Sequence, residues 1–241
     1  MPETLLTLSG VNTHIGHYHI LQGVDFSVPR GELTMLLGRN GAGKTTTLRT
    51  ILGLWKASSG SIRMEGTEIA RLDTPSIAGM GIAYVPESMG IFAGLSVKEN
   101  LVLAARAGSL DEGRLERIFG FFPALRKFWF LPAGLLSGGQ KQMLSISRAI
   151  VEPRKLVLID EPTKGLAPSI INNLIEALRE LKKTDTTILM VEQNFHAARS
   201  LGDSVAVMDS GRIVHTGRMA DLAADEALQT RLLGLSLDVH Q

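Results

Sequence analysis

Gly38-Arg39-Asn40-Gly41-Ala42-Gly43-Lys44-Thr45 follows a continuously apolar run, Leu33 to Leu37, and runs into a helical pattern that begins at Lys44. The spacing G-x-x-x-x-G-K-[ST] belongs to loops that cradle phosphates, and a strand before it with a helix after it is the context that gives the spacing its meaning. Three glycines let the backbone curl so that successive N–H groups point at phosphate oxygens, while the next helix turns its positive end to the same anion. In such a loop Lys44 would neutralise the β- and γ-phosphates and the Thr45 hydroxyl would ligate Mg2+. Gly38, Asn40, Gly41, Ala42, Gly43, Lys44, Thr45 and Thr46 are therefore the candidate nucleotide-binding set.

Outward from this loop, apolar β-branched runs bounded by glycines read as strands at Leu5 to Leu8, Leu33 to Leu37, Ile82 to Val85, Leu156 to Ile159, Thr187 to Val191, Val205 to Met208 and Arg212 to Val214. Helical patterns lie at Lys44 to Leu54, Val97 to Ala107, Asp111 to Phe122, Gly139 to Val151, Ser169 to Lys183 and Phe195 to Leu201. The unbroken apolar runs Leu33 to Leu37 and Leu156 to Ile159 suit central strands covered on both faces. Alternation of strand and helix at both ends predicts a mainly parallel α/β core of residues 1–86 and 151–241. Residues 87–150, nearly all helical in pattern, are expected to form a subdomain inserted into it.

The 241 residues are 44% hydrophobic and 20% charged, which suits a globular domain and excludes a fibrous or disordered chain. Lys plus Arg number 25 against 24 Asp plus Glu, so the formal charge of +1 supplies no general pull toward nucleic acid or an anionic membrane. The absence of cysteine excludes disulfides, thiolate metal sites and cysteine nucleophiles. No stretch approaches the roughly 20 apolar residues that span a bilayer. Met1 to Gly10 has no basic region followed by an apolar run, so a secretory signal is not expected there.

Leu156-Val157-Leu158-Ile159-Asp160-Glu161 is an apolar strand ending in two acids, and ligands of open α/β sheets bind at the carboxyl ends of strands. Asp160 would hold Mg2+, and Glu161 would orient or deprotonate an attacking water. Leu136-Ser137-Gly138-Gly139-Gln140 narrows the class, because phosphate-loop enzymes in general lack it. The order of these three motifs resembles that of the ATP-binding subunits of ABC transporters, from Leu5 to about Leu233.

The resemblance implies an α/β fold with a P-loop NTPase core, a mainly parallel sheet flanked by helices, an antiparallel N-terminal β portion and an inserted helical subdomain. It implies ATP and Mg2+ as cofactors. It also implies that Ser137, Gly138, Gly139 and Gln140 face the γ-phosphate bound to a second subunit, so that one chain supplies half of each hydrolytic site. The partners it implies are a second ABC ATPase subunit, two membrane permease subunits and, indirectly, a periplasmic or extracellular binding protein, with no nucleic acid. The expected location is peripheral, on the cytoplasmic face of the membrane.

Three stations depart from the common family pattern. Where most members have Gln, Tyr84-Val85-Pro86-Glu87 places Glu87, a candidate metal-site residue that turns negative charge toward a triphosphate. Where most have His, Val191-Glu192-Gln193-Asn194 places Gln193, a candidate catalytic residue whose amide can donate to the γ-phosphate but cannot carry charge. Ala167 stands where an acid is common. With Gly165-Leu166-Ala167-Pro168 these stretches resemble the LivF-type branch of branched-chain amino-acid importers, related to urea and short-amide importers. In that branch a LivF-type subunit usually pairs with a LivG-type one, a homodimer being the alternative for the isolated chain. Glu87 and Gln193 are expected to weaken this site, so that Glu87→Gln with Gln193→His would raise turnover. The adenine-stacking station falls at Ile15, with Tyr18 as its possible substitute.

His14, His17 and His19 read as a solvated cluster, since no carboxylate at ligand spacing accompanies them. Lys127 to Pro132 holds too many large apolar groups for local burial, and Phe128 to Phe130 are expected to help receive a short helix from a membrane subunit. A nucleic-acid clamp would call for a second ATPase unit, a long coiled coil or a basic surface, and a small-molecule kinase would lack Leu136 to Gln140.

Overall fold

A computed structural model describes residues 3–106, 108–184 and 186–234. Ala107, the expected end of the helix from Val97, lies outside the described residues, as do residues 1–2, 185 and 235–241 of the expected core. The strands in chain order are β1 (Thr4–Ile15), β2 (Tyr18–Pro29), β3 (Leu33–Leu37), β4 (Ala57–Met64), β5 (Thr67–Glu68), β6 (Ile82–Val85), β7 (Leu156–Asp160), β8 (Thr187–Val191), β9 (Ser204–Asp209) and β10 (Arg212–Arg218). The helices are α1 (Lys44–Ile51), α2 (Thr74–Gly79), α3 (Val97–Val102), α4 (Glu112–Phe121), α5 (Pro123–Lys127), α6 (Gly138–Ile150), α7 (Pro168–Lys182), α8 (Phe195–Leu201), α9 (Met219–Ala224) and α10 (Glu226–Leu233).

Two sheets result. One has the order β10-β9-β3-β8-β7-β6, parallel except for the edge pair β10 and β9; the other, β2-β1-β4-β5, is antiparallel. Leu33, Met35 and Leu37 of β3 face one apolar cluster with Val157, Ile159, Ile188 and Met190, covered by side chains of α6, α7 and α8. Leu36, Leu156, Leu158, Leu189 and Val191 face a second cluster, filled by Leu6, Leu8, Val24 and Val28 of the antiparallel sheet and by Leu48 and Ile51 of α1. Both faces of the central strands are thus dry, which is why their sequences are apolar without interruption.

The antiparallel sheet is larger than the run Leu5 to Leu8 suggests. β2 alternates buried Val24, Phe26 and Val28 with exposed Asp25 and Ser27, the pattern of a sheet wet on one face. β4 contains Ser58-Ser59-Gly60-Ser61, which reads locally as a loop; Gly60 is there because a Cβ would stand 2.4 Å from the Gly10 carbonyl oxygen. Helix α1 stops at Ile51 instead of Leu54, since Gly53 turns the chain at φ 70° and leaves Leu54 exposed. α3 stops at Val102, and Leu103 beyond it is exposed.

Helices α3 to α6 lie between β6 and β7, and their Val97, Leu101, Ile118, Phe119, Leu125 and Leu144, with Phe122 between α4 and α5, join the first apolar cluster. Phe119 and Trp129 meet edge to face at 5.3 Å, Phe128 and Trp129 are half-buried, and Phe130 stands 77% exposed. The rings of His14 and His19 stack at 4.2 Å, and no metal-binding group of three or more His, Cys, Asp or Glu occurs among the described residues.

Candidate active site

Parallel pairing brings the carboxyl ends of β3, β8, β7 and β6 to one edge of the sheet, and with them the residues that follow each strand. Gly38 to Gly43 leave β3 in a loop where Gly38, Gly41 and Gly43 all have positive φ, at 150°, 81° and 109°. A Cβ on Gly38 would stand 2.2 Å from the Met208 carbonyl oxygen, so only glycine lets the loop lie against β9. Gly43 caps α1 without a side-chain hydrogen bond, and no acid occupies the first turn. The first N–H groups of α1 therefore remain without a capping side chain, the condition a helix end needs to receive an anion.

Lys44 is buried, and its ammonium donates to the carbonyls of Gly38 at 2.9 Å and Arg39 at 3.1 Å. Its Nζ lies 3.6 Å from Glu161 Oε1. Thr45 donates its hydroxyl to Asp160 Oδ1 at 3.0 Å, and Tyr84 donates to Oδ2 at 3.0 Å. Burial, the largest cause, raises the Asp160 carboxyl above its ordinary range against the pull of these two donors. A fully buried carboxylate beside a threonine hydroxyl is a hard-oxygen donor set that fits Mg2+, which takes its remaining ligands from phosphates and water.

Gln193 donates to Glu161 Oε1 at 2.6 Å and to Asn40 Oδ1. Lys164 donates to Glu87 Oε1 at 2.6 Å, and its Nζ lies 3.4 Å from Glu161 Oε2. Asn40, Gly41, Gly43, Lys44, Thr45, Thr46, Glu87, Glu161 and Lys164 line one cavity of about 300 Å³. Ser137, Gly138, Gly139 and Gln140 do not line it. Instead Ser137 N–H donates to Gln140 Oε1 at 2.9 Å and Gln140 N–H to Ser137 Oγ at 3.4 Å, a closed capping box at the start of α6. Gly139 is needed for packing, since a Cβ there would stand 2.4 Å from Ile170 Cγ2 on α7.

The sequence profile of ABC transporters matches residues 21–164. The chain belongs to the ABC transporter family. This ABC chain is 38% identical to the high-affinity branched-chain amino acid transport ATP-binding protein BraG of Pseudomonas aeruginosa, across 95% of its own length and 100% of that protein. It is 34% identical to the probable branched-chain amino acid transport ATP-binding protein LivF of Archaeoglobus fulgidus, across 93% and 97%. The solved ATP-binding subunit of an ABC transporter superposes with a TM-score of 0.78 at 33% identity, covering 97% of this chain and 96% of that one. A nucleotide-free ATP-binding cassette superposes at 0.80 with 25% identity, covering 97% and 99%.

Three contributors to the ABC site escape the motif reading. Tyr84 holds Asp160, and burial with that neighbouring charge pushes its hydroxyl up to about 12, so it stays a donor. Glu192, buried and raised by desolvation, accepts from the Thr163 N–H and hydroxyl at 3.0 Å and from the Gln193 and Asn194 N–H groups at 3.0 and 3.1 Å. It ties the turn after β7 to the turn after β8. Lys164 is the third; only its i+3 spacing from Glu161 was there to be seen.

Proposed function

We propose that this ABC ATPase is the energy-coupling subunit of an importer for branched-chain or other amino acids. The observation that carries the reading is the meeting of Lys44, Thr45, Glu87 and Glu161 in one cavity that 137–140 does not reach. A site with an uncapped α1 and a self-capped α6 outside its lining suits closure by a second ATPase subunit, LivG-type in the transporter and a second copy in the isolated chain. Residues 87–150 then act as the signature subdomain on a core of 1–86 and 151–241. Two permease subunits at the cytoplasmic face of the membrane and an external binding protein complete the assembly; no helix of the described residues is long and apolar enough to cross a membrane itself.

Backbone amides from Gly38 to Gly43 bind the phosphates, and Lys44 leaves its carbonyl partners to meet the β- and γ-oxygens. Asp160 and Thr45 would hold Mg2+, which when bound supplies positive charge to the phosphate oxygens. Glu161 orients the attacking water and takes its proton, while Gln193 holds the Glu161 carboxylate and reaches the γ-phosphate through its amide. Catalysis is positioning plus charge stabilisation. The test is Glu161→Gln with MgATP: hydrolysis falls by about a hundredfold or more while nucleotide stays bound, and gel filtration shows a pair of ATPase subunits. Hydrolysis at the parent rate would overturn the assignment of Glu161.

A further inference from the structure

We propose that Lys164 is a positioning residue of the hydrolytic site, its ammonium shared by Glu87 and Glu161 so that the negative charge of Glu87 never faces the nucleotide alone; the inference rests on the ATPase reading of this cavity. Glu161 stands between two cations, with Lys44 Nζ 3.6 Å from Oε1 and Lys164 Nζ 3.4 Å from Oε2. Lys164 also reaches Glu87 Oε1 at 2.6 Å. The cavity wall thus carries two ammonium groups against two carboxylates.

The pair is exposed, at 56% and 42%, and such pairs add little to folding. Its weight lies in what happens when a triphosphate enters. Lys44 is then drawn to the phosphates, and Lys164 is the cation left on Glu161. Once the site is covered and water excluded, a bare Glu87 beside the nucleotide would repel it far more than the same charge in open solvent. Lys164 is well placed to prevent this because its backbone is held: its N–H donates to the Glu161 carbonyl at 3.2 Å, and the preceding Thr163 is tied to Glu192. Glu87 follows β6, so the ion pair joins the loop after β6 to the turn after β7.

From sequence, Glu87→Gln together with Gln193→His is expected to raise turnover; the ion pair bears on the Glu87 half of that exchange. Glu87→Gln alone takes away the 2.6 Å partner of Lys164, leaving its ammonium to Glu161 only and drawing that carboxylate away from the attacking water, and kcat falls.

The test uses the full chain as parent, Lys164→Gln, Glu87→Gln and the double variant, with MgATP binding measured by calorimetry and KM and kcat measured in the assembled transporter. Lys164→Gln weakens MgATP binding about tenfold, the effect of one screened charge near a phosphate. The double variant binds within about twofold of the parent, since the charges leave together. Lys164→Arg keeps the parent affinity, and Lys164→Met repeats the loss seen with Gln. Unchanged affinity in Lys164→Gln, or an equal loss from that substitution whether residue 87 is Glu or Gln, overturns the proposal. A parent that binds no MgATP, or binds it equally after Lys44→Ala, overturns the underlying nucleotide reading instead.

Discussion

Two helices of this chain begin at glycine-rich turns, and their ends are prepared in opposite ways. At α1, the glycines adopt positive φ, no side chain caps the first turn, and a buried ammonium waits beside two carbonyls. At α6, Ser137 and Gln140 cap each other, and Gly139 is there because Ile170 leaves no room for a Cβ. The first end is open within its own chain and lined by charge. The second is a finished, stable helix start whose value to a nucleotide must come from where it is carried. On the proposed function, the contrast separates binding from sealing.

Lys44→Ala probes the open end most directly. With the ammonium gone, MgATP binding and phosphate release both fall by about a hundredfold or more; retention of binding in a calorimetric titration would break the contrast at its first term. At the closed end, Gly139→Ala forces a methyl to within 2.4 Å of Ile170 Cγ2 and lowers stability by about 1–3 kcal/mol. Gly138→Ala, whose nearest neighbour is Leu166 Cδ2 at 3.8 Å, leaves the melting temperature near that of the parent. Equal melting of the two alanine variants would remove the packing explanation for Gly139.

The smallest effect concerns Asp160. Burial raises its carboxyl in the folded chain, so the fold holds this proton to higher pH than the unfolded chain does. Its contribution to stability is present below the ordinary carboxylate range and is lost as pH rises through the raised value. In nucleotide-free protein, thermal melting of Asp160→Asn should therefore improve relative to the parent between about pH 4 and neutrality. A difference independent of pH would show that the carboxylate bears no such burial cost.

Much of this was legible in the sequence, for identifiable reasons. The loop Gly38 to Thr45 is local, and its meaning depends on nothing beyond the strand and helix that flank it. The central strands announce themselves because both their faces are dry. β2 and β4 do not, because half their side chains meet water and their partners are far along the chain. Lys164 is silent for a similar reason: its significance depends on Glu87, 77 residues away. Gln193, expected to donate to the γ-phosphate, also grips Glu161, 32 residues away. Ser137 and Gln140 form the capping box that their Ser-x-x-Gln spacing offers, a structural duty that reading them only for the nucleotide passes over.

Asp160 and Glu161 are consecutive, and consecutive residues of a strand point to opposite sides of the sheet. Here Asp160 closes β7 in ordinary extended form, but Glu161 has φ 46°, in the left-handed region that residues other than glycine rarely adopt. That single reversal of handedness swings the second carboxylate back over the same ground as the first, Asp160 reaching Thr45 and Glu161 reaching Lys44. On the proposed function, two neighbours can therefore divide one task between them, the first as anchor and the second as working arm.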